Sequence, residues 1–281
     1  IVPSNPIEAL SKGNMLQIIF FAIILGITIT KLKDGNALKA QKVFKMFNDL
    51  FLRMIDIIMY FAPYGVFFLI FKTFMTQGLS AIVELSSYFF TVLLVLVLHF
   101  LLTYGSLIIV FTKISLFQFY RKMRNAMLFA FSTSSSAATI PITLKTVEEK
   151  LGVDKSVASF SVPLGATINM DGTAIMQGVA TVFISNAYGI DLNFADYLSV
   201  ILVATLASVG TAGVPGVGLI MLAMVLNQVG LPTEGIALII GIDRLLDMTR
   251  TAVNVTGDAA ISCVVASTEK KIQPEIYNDK S

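Results

Sequence analysis

The sequence predicts an all-α polytopic membrane protein in which two helical hairpins enter the bilayer and return by the same face, arranged as an inverted repeat. Three observations carry this. The 281-residue chain is 56% hydrophobic and 14% charged, with a mean hydropathy of +0.81. Soluble domains run about 45–50% apolar and about 25% charged, so lipid solvates much of this exterior. Two apolar stretches are broken by Ser-rich or Gly-rich runs that do not suit a continuous helix. The third observation is the placement of Lys and Arg, which fits the cytoplasmic bias of short loops only if those two stretches do not cross.

The same composition excludes other classes. A net charge of +2 without a basic run interleaved with aromatics is no footprint for nucleic acid. Cys263 is the single cysteine and closes no intrachain disulfide, and His99, the single histidine, cannot build a multi-histidine metal site. Ile1 opens the chain without a basic region ahead of an apolar core, so no signal peptide is read and the chain is expected to begin mid-gene.

Taken in order, apolar stretches cover 15–30, 51–75, 79–111, 126–144, 157–188, 197–226 and 236–266. The loop 31–53 carries Lys31, Lys33, Lys39, Lys42, Lys45 and Arg53, and the loop 113–124 carries Lys113, Arg121, Lys122 and Arg124, which places both inside. Pro63 and Gly65 kink the helix between them. The stretch 126–144 is interrupted from Ser132 through Ser136 to Pro141. If it spanned fully, Lys145, Lys150 and Lys155 would lie outside. If it and the stretch broken by Gly210, Gly213 and Gly216 both re-enter, those lysines and the C-terminal Lys270 and Lys271 stay inside, with Lys72 the one exception, able to snorkel. The expected layout is an inner hairpin over 115–150, a broken helix over 156–188, an outer hairpin over 197–229 and a last helix over 236–266. Non-helical backbone at membrane depth survives only against protein or a cavity, so both hairpin tips must face a site.

On the last helix Asp243, Asp247, Arg250, Asn254 and Asp258 are spaced by four, three, four and four residues. At about 100° per residue they share about 80° of arc. Their four charges would cost on the order of 12 kcal/mol in lipid, against roughly 6 recovered from the helix's apolar residues, so the stripe faces inward. A sealing salt-bridge network is the structural alternative. The surplus of carboxylates over Arg250 favours a site for cations. In the string from Gly165 to Thr173, glycines flank Asn169, Asp171 and Thr173, which reads as a local unwinding that frees carbonyl oxygens beside a carboxylate and a carboxamide. The serine run offers hydroxyls and helix N-terminal N–H groups to a carboxylate. His99 reads as a structural, hydrogen-bonded histidine and carries no assigned role.

These residues, namely Ser134 to Ser136 with Pro141, Asn169 to Thr173, Gly210 to Gly216, and Asp243 to Asp258, resemble the dicarboxylate/amino acid:cation symporters, most closely in their bacterial glutamate/aspartate-carrying pattern. The resemblance implies a glutamate-transporter-like fold, N-terminally truncated, working as a homotrimer in the plasma membrane with a cytoplasmic C-terminus. Residues 1–78 would be part of a trimerising scaffold, 79–270 a transport domain that moves as an elevator, and 271–281 a tail. It further implies secondary transport of acidic amino acids, L-glutamate or L-aspartate, with Na⁺ or H⁺ as coupling ion, and no other cofactor and no enzymatic activity. Arg250 would grip the substrate side-chain carboxylate and Asp247 the amino group. Asn254 and Ser136 would lie near the α-carboxylate, with Ser135, Thr173, Gly213, Val214 and Thr251 completing the pocket. One cation site would use Gly165, Asn169, Asn254 and Asp258, another Thr167, Ser208, Val209 and Thr211, and a third Asn169 and Asp171 with ligands from an earlier helix, with Met170 also among the cation residues. Two departures stand out: neither Ser134 nor Met248 is the Arg that other members place there, and Arg244 is expected to support Asp247 instead. Gln177 replaces the Glu of potassium-coupled members, which implies no potassium countertransport. C4-dicarboxylate and neutral amino-acid carriage are alternatives within the same fold, and an anion channel is one outside symport. Asp247 and Arg250 together favour an acidic amino acid.

Overall fold

The computed structural model describes residues 5–12, 15–33, 35–61, 80–112, 114–211 and 213–278, with Tyr64, Phe67, Phe68, Phe71 and Met75. Pro63, Gly65, Lys72 and Lys113, on which expectations were placed, lie outside them. Among the described residues every regular element is helical, and the only extended pairing is an isolated bridge between Val153 and Ile272.

Two compact units divide the chain, Ile1–Gly78 and Leu79–Ser281. The first holds α1 (Pro6–Lys12), α2 (Met15–Thr30) and α3 (Asn36–Tyr60). Asn5 caps α1 by accepting from the Ile7 N–H at 3.0 Å. In α2 nearly every side chain is apolar, and Ile23, Ile24 and Ile27 are exposed.

The second unit begins with α4 (Ser80–Leu98), which widens into a π-turn over His99–Tyr104 and resumes as α5 (Gly105–Phe111). Val83–Phe111, 29 residues, is the one described helix long and apolar enough to cross a membrane, while Phe194–Val209 and Val217–Gln228 are apolar but shorter. Exposed Phe90, Leu94, Leu101, Leu102, Ile109 and Val110 on that long helix call for an apolar solvent or partner.

Three helix–break–helix segments follow. In the first, α6 (Leu116–Thr133) ends at Ser134, whose left-handed backbone (φ 52°) turns the chain, and Ser135 then caps α7 (Ser136–Glu149) by accepting from the Ala138 N–H. The interruption is therefore confined to two residues. Contrary to expectation it does not extend to Pro141, which sits inside α7. Next, α8 (Lys155–Ile168) gives way at Asn169 and Met170, whose backbone is non-helical, before α9 (Asp171–Ala187). Last, α10 (Phe194–Val209) opens on a reciprocal Asn193–Asp196 capping box, and Gly216 (φ 81°) starts α11 (Val217–Gln228). The 33-residue α12 (Ile236–Thr268) closes the unit, packed by α4 to α9 around its circumference. That surround is why a helix so rich in charge folds inward.

Beyond α12 the chain straps the base of the first hairpin. The Asp154 N–H donates to Lys271 O at 2.9 Å, the Gln273 N–H to Gly152 O at 2.7 Å, and Tyr277 Oη to Ser115 O at 2.6 Å. Lys122 Nζ, buried, donates to Lys150 O, Ile276 O and Tyr277 O and lies 5.2 Å from the Tyr277 ring centroid. The ammonium thus ties α13 (Pro274–Asn278) to both limbs of the hairpin. Lys122→Met, which keeps the stem and removes the donors, exposes the tail, and limited proteolysis after residue 270 accelerates about tenfold. Burial pushes the Tyr277 hydroxyl up to about 12, so the strap keeps its full strength below pH 10 and weakens as pH rises through about 12.

Candidate functional site

The polar stripe of α12 lies wholly in the interior: Asp243, Asp247, Arg250, Asn254 and Asp258 are all at most 8% exposed. Arg250 is the hub of its first half. Its Nη1 donates to Asp243 Oδ1 at 2.8 Å and its Nη2 to Asp247 Oδ1 at 2.8 Å, while its Nε has no partner. The second carboxylate oxygen of Asp247 accepts from the Gly216 N–H at 3.2 Å, so this one side chain links the guanidinium to the tip of the α10–α11 hairpin.

The two hairpin tips meet directly. Ser135 Oγ donates to Gly213 O at 2.7 Å and the Ala137 N–H to the same oxygen at 3.2 Å. A side chain at Gly213 would run into Ala137 N and Ala166 O, both 3.1 Å from an added Cβ. Below the tips a small polar pocket is lined by Ser136, Met170, Thr173, Thr211, Gly213, Val214, Asp247, Thr251 and Asn254, with Ser134 and Gly218. Seven of the nine residues assigned to substrate by resemblance line it. Ser135 instead builds the contact between tips. Arg250 lies behind the wall with its fork turned to Asp243 and Asp247.

The second half of the stripe meets the break between α8 and α9. Asn254 Oδ1 accepts from the Gly172 N–H at 2.8 Å, and Asn169 Nδ2 donates to Asp258 Oδ1 at 2.9 Å and to Asn254 O at 3.1 Å. A Cβ on Gly165 would lie 2.6 Å from Asp258 Oδ1, so only glycine lets the carboxylate sit against α8. Gly165, Asn169, Asn254 and Asp258 thus come together in one hydrogen-bonded cluster whose carboxylate, carboxamide and carbonyl oxygens are of the kind a small cation takes.

The other cation group does not assemble as a unit. Thr167 is exposed and its hydroxyl is spent on Pro163 O, Val209 is exposed, and the Ser208 and Thr211 hydroxyls donate to Thr205 O and Ala207 O of α10. Met170 turns its sulfur to Asn254 Nδ2 at 3.4 Å. The expectation for Arg244 is corrected: its side chain is exposed, and Asp247 is paired with Arg250, which sits three residues further along on the inward face.

His99 is hydrogen-bonded, as expected of it, but its partner is a candidate cation residue, and a tyrosine that the sequence did not single out joins it. His99 Nε2 lies 2.6 Å from Asp171 Oδ2, and Tyr104 Oη donates to that oxygen at 2.5 Å. Asp171 Oδ1 is buried without a partner. Read as an α-helix, His99 and Tyr104 point about 140° apart, so periodicity carried no signal for the pair. Only the π-turn brings them to one face.

A model of the sodium:dicarboxylate symporter family matches residues 1–268. The chain belongs to that family. An excitatory amino acid transporter of Caenorhabditis elegans is 40% identical over 255 residues, 90% of this chain and 50% of that protein. Excitatory amino acid transporter 1 of Rattus norvegicus is 39% identical over 249 residues, 88% of this chain and 46% of that protein. The proton/glutamate-aspartate symporter of Escherichia coli is 35% identical over 276 residues, 96% of this chain and 62% of that protein. The chain therefore spans about half the length of the animal relatives it matches. Membership in the sodium:dicarboxylate symporter family makes this an all-helical membrane protein of a transporter lineage, and identity alone does not separate its bacterial from its animal members.

Proposed function

We propose that this chain is the binding half of a symporter that carries an acidic amino acid, glutamate or aspartate, with Na⁺ or protons. The observation that carries the reading is the meeting of two hairpin tips and a buried Asp–Arg–Asp array around one polar pocket. The names of its relatives support the substrate class.

The geometry suits an exchange of partners. A substrate side-chain carboxylate takes the place of Asp247 on Arg250, and its planar, bidentate demand matches the guanidinium fork. Asp247, so released, receives the substrate ammonium. Because Asp247 also holds the Gly216 N–H, the exchange is felt at the hairpin tip, which gives the α10–α11 hairpin the role of gate. The array of Arg250 with Asp243 and Asp247 is already formally negative. An acidic substrate adds a further negative charge at bilayer depth, and the cations that offset it are the physical reason for coupling.

In this reading the two hairpins are re-entrant halves of an inverted repeat. Residues 79–270 move as an elevator against a trimeric scaffold that includes 1–78, with the tail cytoplasmic in the plasma membrane. The cation groups are Gly165, Asn169, Asn254 and Asp258; Asp171 with Asn169; and Thr167, Ser208, Val209 and Thr211, which come together once a cation and substrate close the site, with Met170 beside them. Arg250, together with Asp247, favours acidic amino acids over C4-dicarboxylates and neutral amino acids. The test is uptake of labelled glutamate and aspartate by the complete gene product in proteoliposomes, with Na⁺ and pH gradients imposed separately. Saturable uptake that needs one of the gradients is expected. Substrate-independent, ohmic anion current without uptake would replace transport by a channel.

A further inference from the structure

We propose that His99 and Tyr104 are positioning residues for the Asp171 carboxylate, and that the π-turn between them exists to bring both to it. This rests on the symport reading for its cargo, a small monovalent cation, and adds two residues and a backbone feature to it.

The argument starts at Asp171. It is the first residue of α9, directly after the non-helical Asn169 and Met170, so its backbone is held on one side only. A carboxylate there has free rotamers unless something fixes it. Two groups from a different helix do so: His99 Nε2 at 2.6 Å and Tyr104 Oη at 2.5 Å, both on Oδ2. The carboxylate accepts, which selects the imidazole tautomer carrying its proton on Nε2. The other oxygen, Oδ1, is buried and has no hydrogen-bond partner. A buried carboxylate oxygen left over while its twin takes two donors is an incomplete coordination site, two residues along the chain from Asn169, whose amide nitrogen is turned to Asp258 and Asn254. Oxygen ligands are what a small hard cation requires, and partners that orient them are conventionally as consequential as the ligands themselves.

The π-turn explains how α4 and α5 supply both donors. Residues five apart on an α-helix diverge, whereas in an i→i+5 bonded turn they come nearly above one another. His99 and Tyr104 are the first and last residues of the turn, and their rings meet edge to face with centroids 4.8 Å apart. Each ring therefore braces the other as well as the carboxylate. Wide turns of this kind weaken the helix ladder, and the compensation here is the paired grip on Asp171. Tyr104 is 2% exposed, so neither lipid nor bulk water competes for its hydroxyl.

The experiment uses the complete gene product, wild type and His99→Ala, His99→Gln, Tyr104→Phe, Asp171→Asn and His99→Ala/Asp171→Asn. The readout is the melting temperature against NaCl with choline chloride as control, which reports cation binding without transport, followed by Na⁺ dependence of substrate uptake. His99→Ala and Tyr104→Phe each raise the half-saturating Na⁺ concentration about tenfold, the loss of one hydrogen bond to a charged group. Substrate affinity at saturating Na⁺ stays at the wild-type value, and the melting temperature falls by less in choline than in NaCl, because the ion-dependent part of the stability is lost on top of the packing. His99→Gln, which keeps a donor, recovers most of the Na⁺ affinity. Adding His99→Ala to Asp171→Asn causes no further loss, because the histidine acts through the carboxylate. Unchanged Na⁺ dependence in the two single variants overturns the inference, and so does equal destabilisation in choline and NaCl, or a wild type whose melting ignores Na⁺. Absence of acidic amino-acid uptake with Na⁺-dependent melting intact would instead remove the proposed substrate and leave this inference standing.

Discussion

Arg250→Ala abolishes acidic amino-acid uptake, by on the order of a hundredfold or more, and lowers stability by about 3–5 kcal/mol. Both losses have one origin. The guanidinium is 1% exposed and holds Asp243 and Asp247 at 2.8 Å each, so its removal leaves two buried carboxylates facing one another without a counter-charge. Arg250→Lys restores a positive charge but not the fork, and retains folding better than uptake. Fold and function separate in the double variant Arg250→Ala/Asp247→Asn. Neutralising one carboxylate recovers part of the thermal stability, while glutamate uptake stays absent because nothing grips the side-chain carboxylate. Melting curves and labelled uptake on the three variants check this. Uptake near wild type in Arg250→Ala would remove the guanidinium from substrate binding.

Gly165→Ala is the second large effect, and it falls on the cations. An added Cβ would sit 2.6 Å from Asp258 Oδ1, 2.9 Å from its Cγ and 3.1 Å from its Cβ. The obstacle is the whole carboxylate arm, which is rooted in the middle of α12 and cannot swing aside. Overpacking of this kind costs about 1–3 kcal/mol. Displacing Asp258 also breaks its hydrogen bond with Asn169 and scatters the oxygen donors that converge there. The Na⁺ or proton dependence of uptake is expected to weaken by at least about tenfold. Gly178→Ala, where an added Cβ meets nothing within 4 Å, serves as the control and leaves the dependence unchanged. A Gly165→Ala protein with wild-type cation dependence would take Asp258 out of coupling.

How much of this was legible beforehand follows from where each signal resides. The inward-facing stripe of α12 is a local property, since helical spacing and the cost of charge in lipid are enough to turn it to the interior. The unwinding at Asn169 and Met170 was likewise written into flanking glycines. The hairpin turn at Ser134 and Ser135 was visible as a serine run, but its extent was not. Pro141 looks like a breaker, and α7 nonetheless continues through it as its sixth residue, giving up the one i→i−4 bond that its N–H would have made to Ala137. Arg244 and Arg250 are equally plausible neighbours of Asp247 by spacing. Packing around α12 leaves the first exposed and buries the second.

By itself the sequence determined that the chain is helical and lipid-solvated, which face of its last helix must hide, and where three helices must break, because each of these is set by energies local to a segment. Only the tertiary structure decided which groups the breaks would meet: Gly213 against Ser135, Asn169 against Asp258, and His99 and Tyr104 against Asp171. Those pairings depend on the relative rotation of helices far apart in the chain, and for the last of them on one widened turn that shifts the register of every residue beyond it. No window along the chain contains that rotation, since it is the close packing of all the surrounding helices on α12 that sets it.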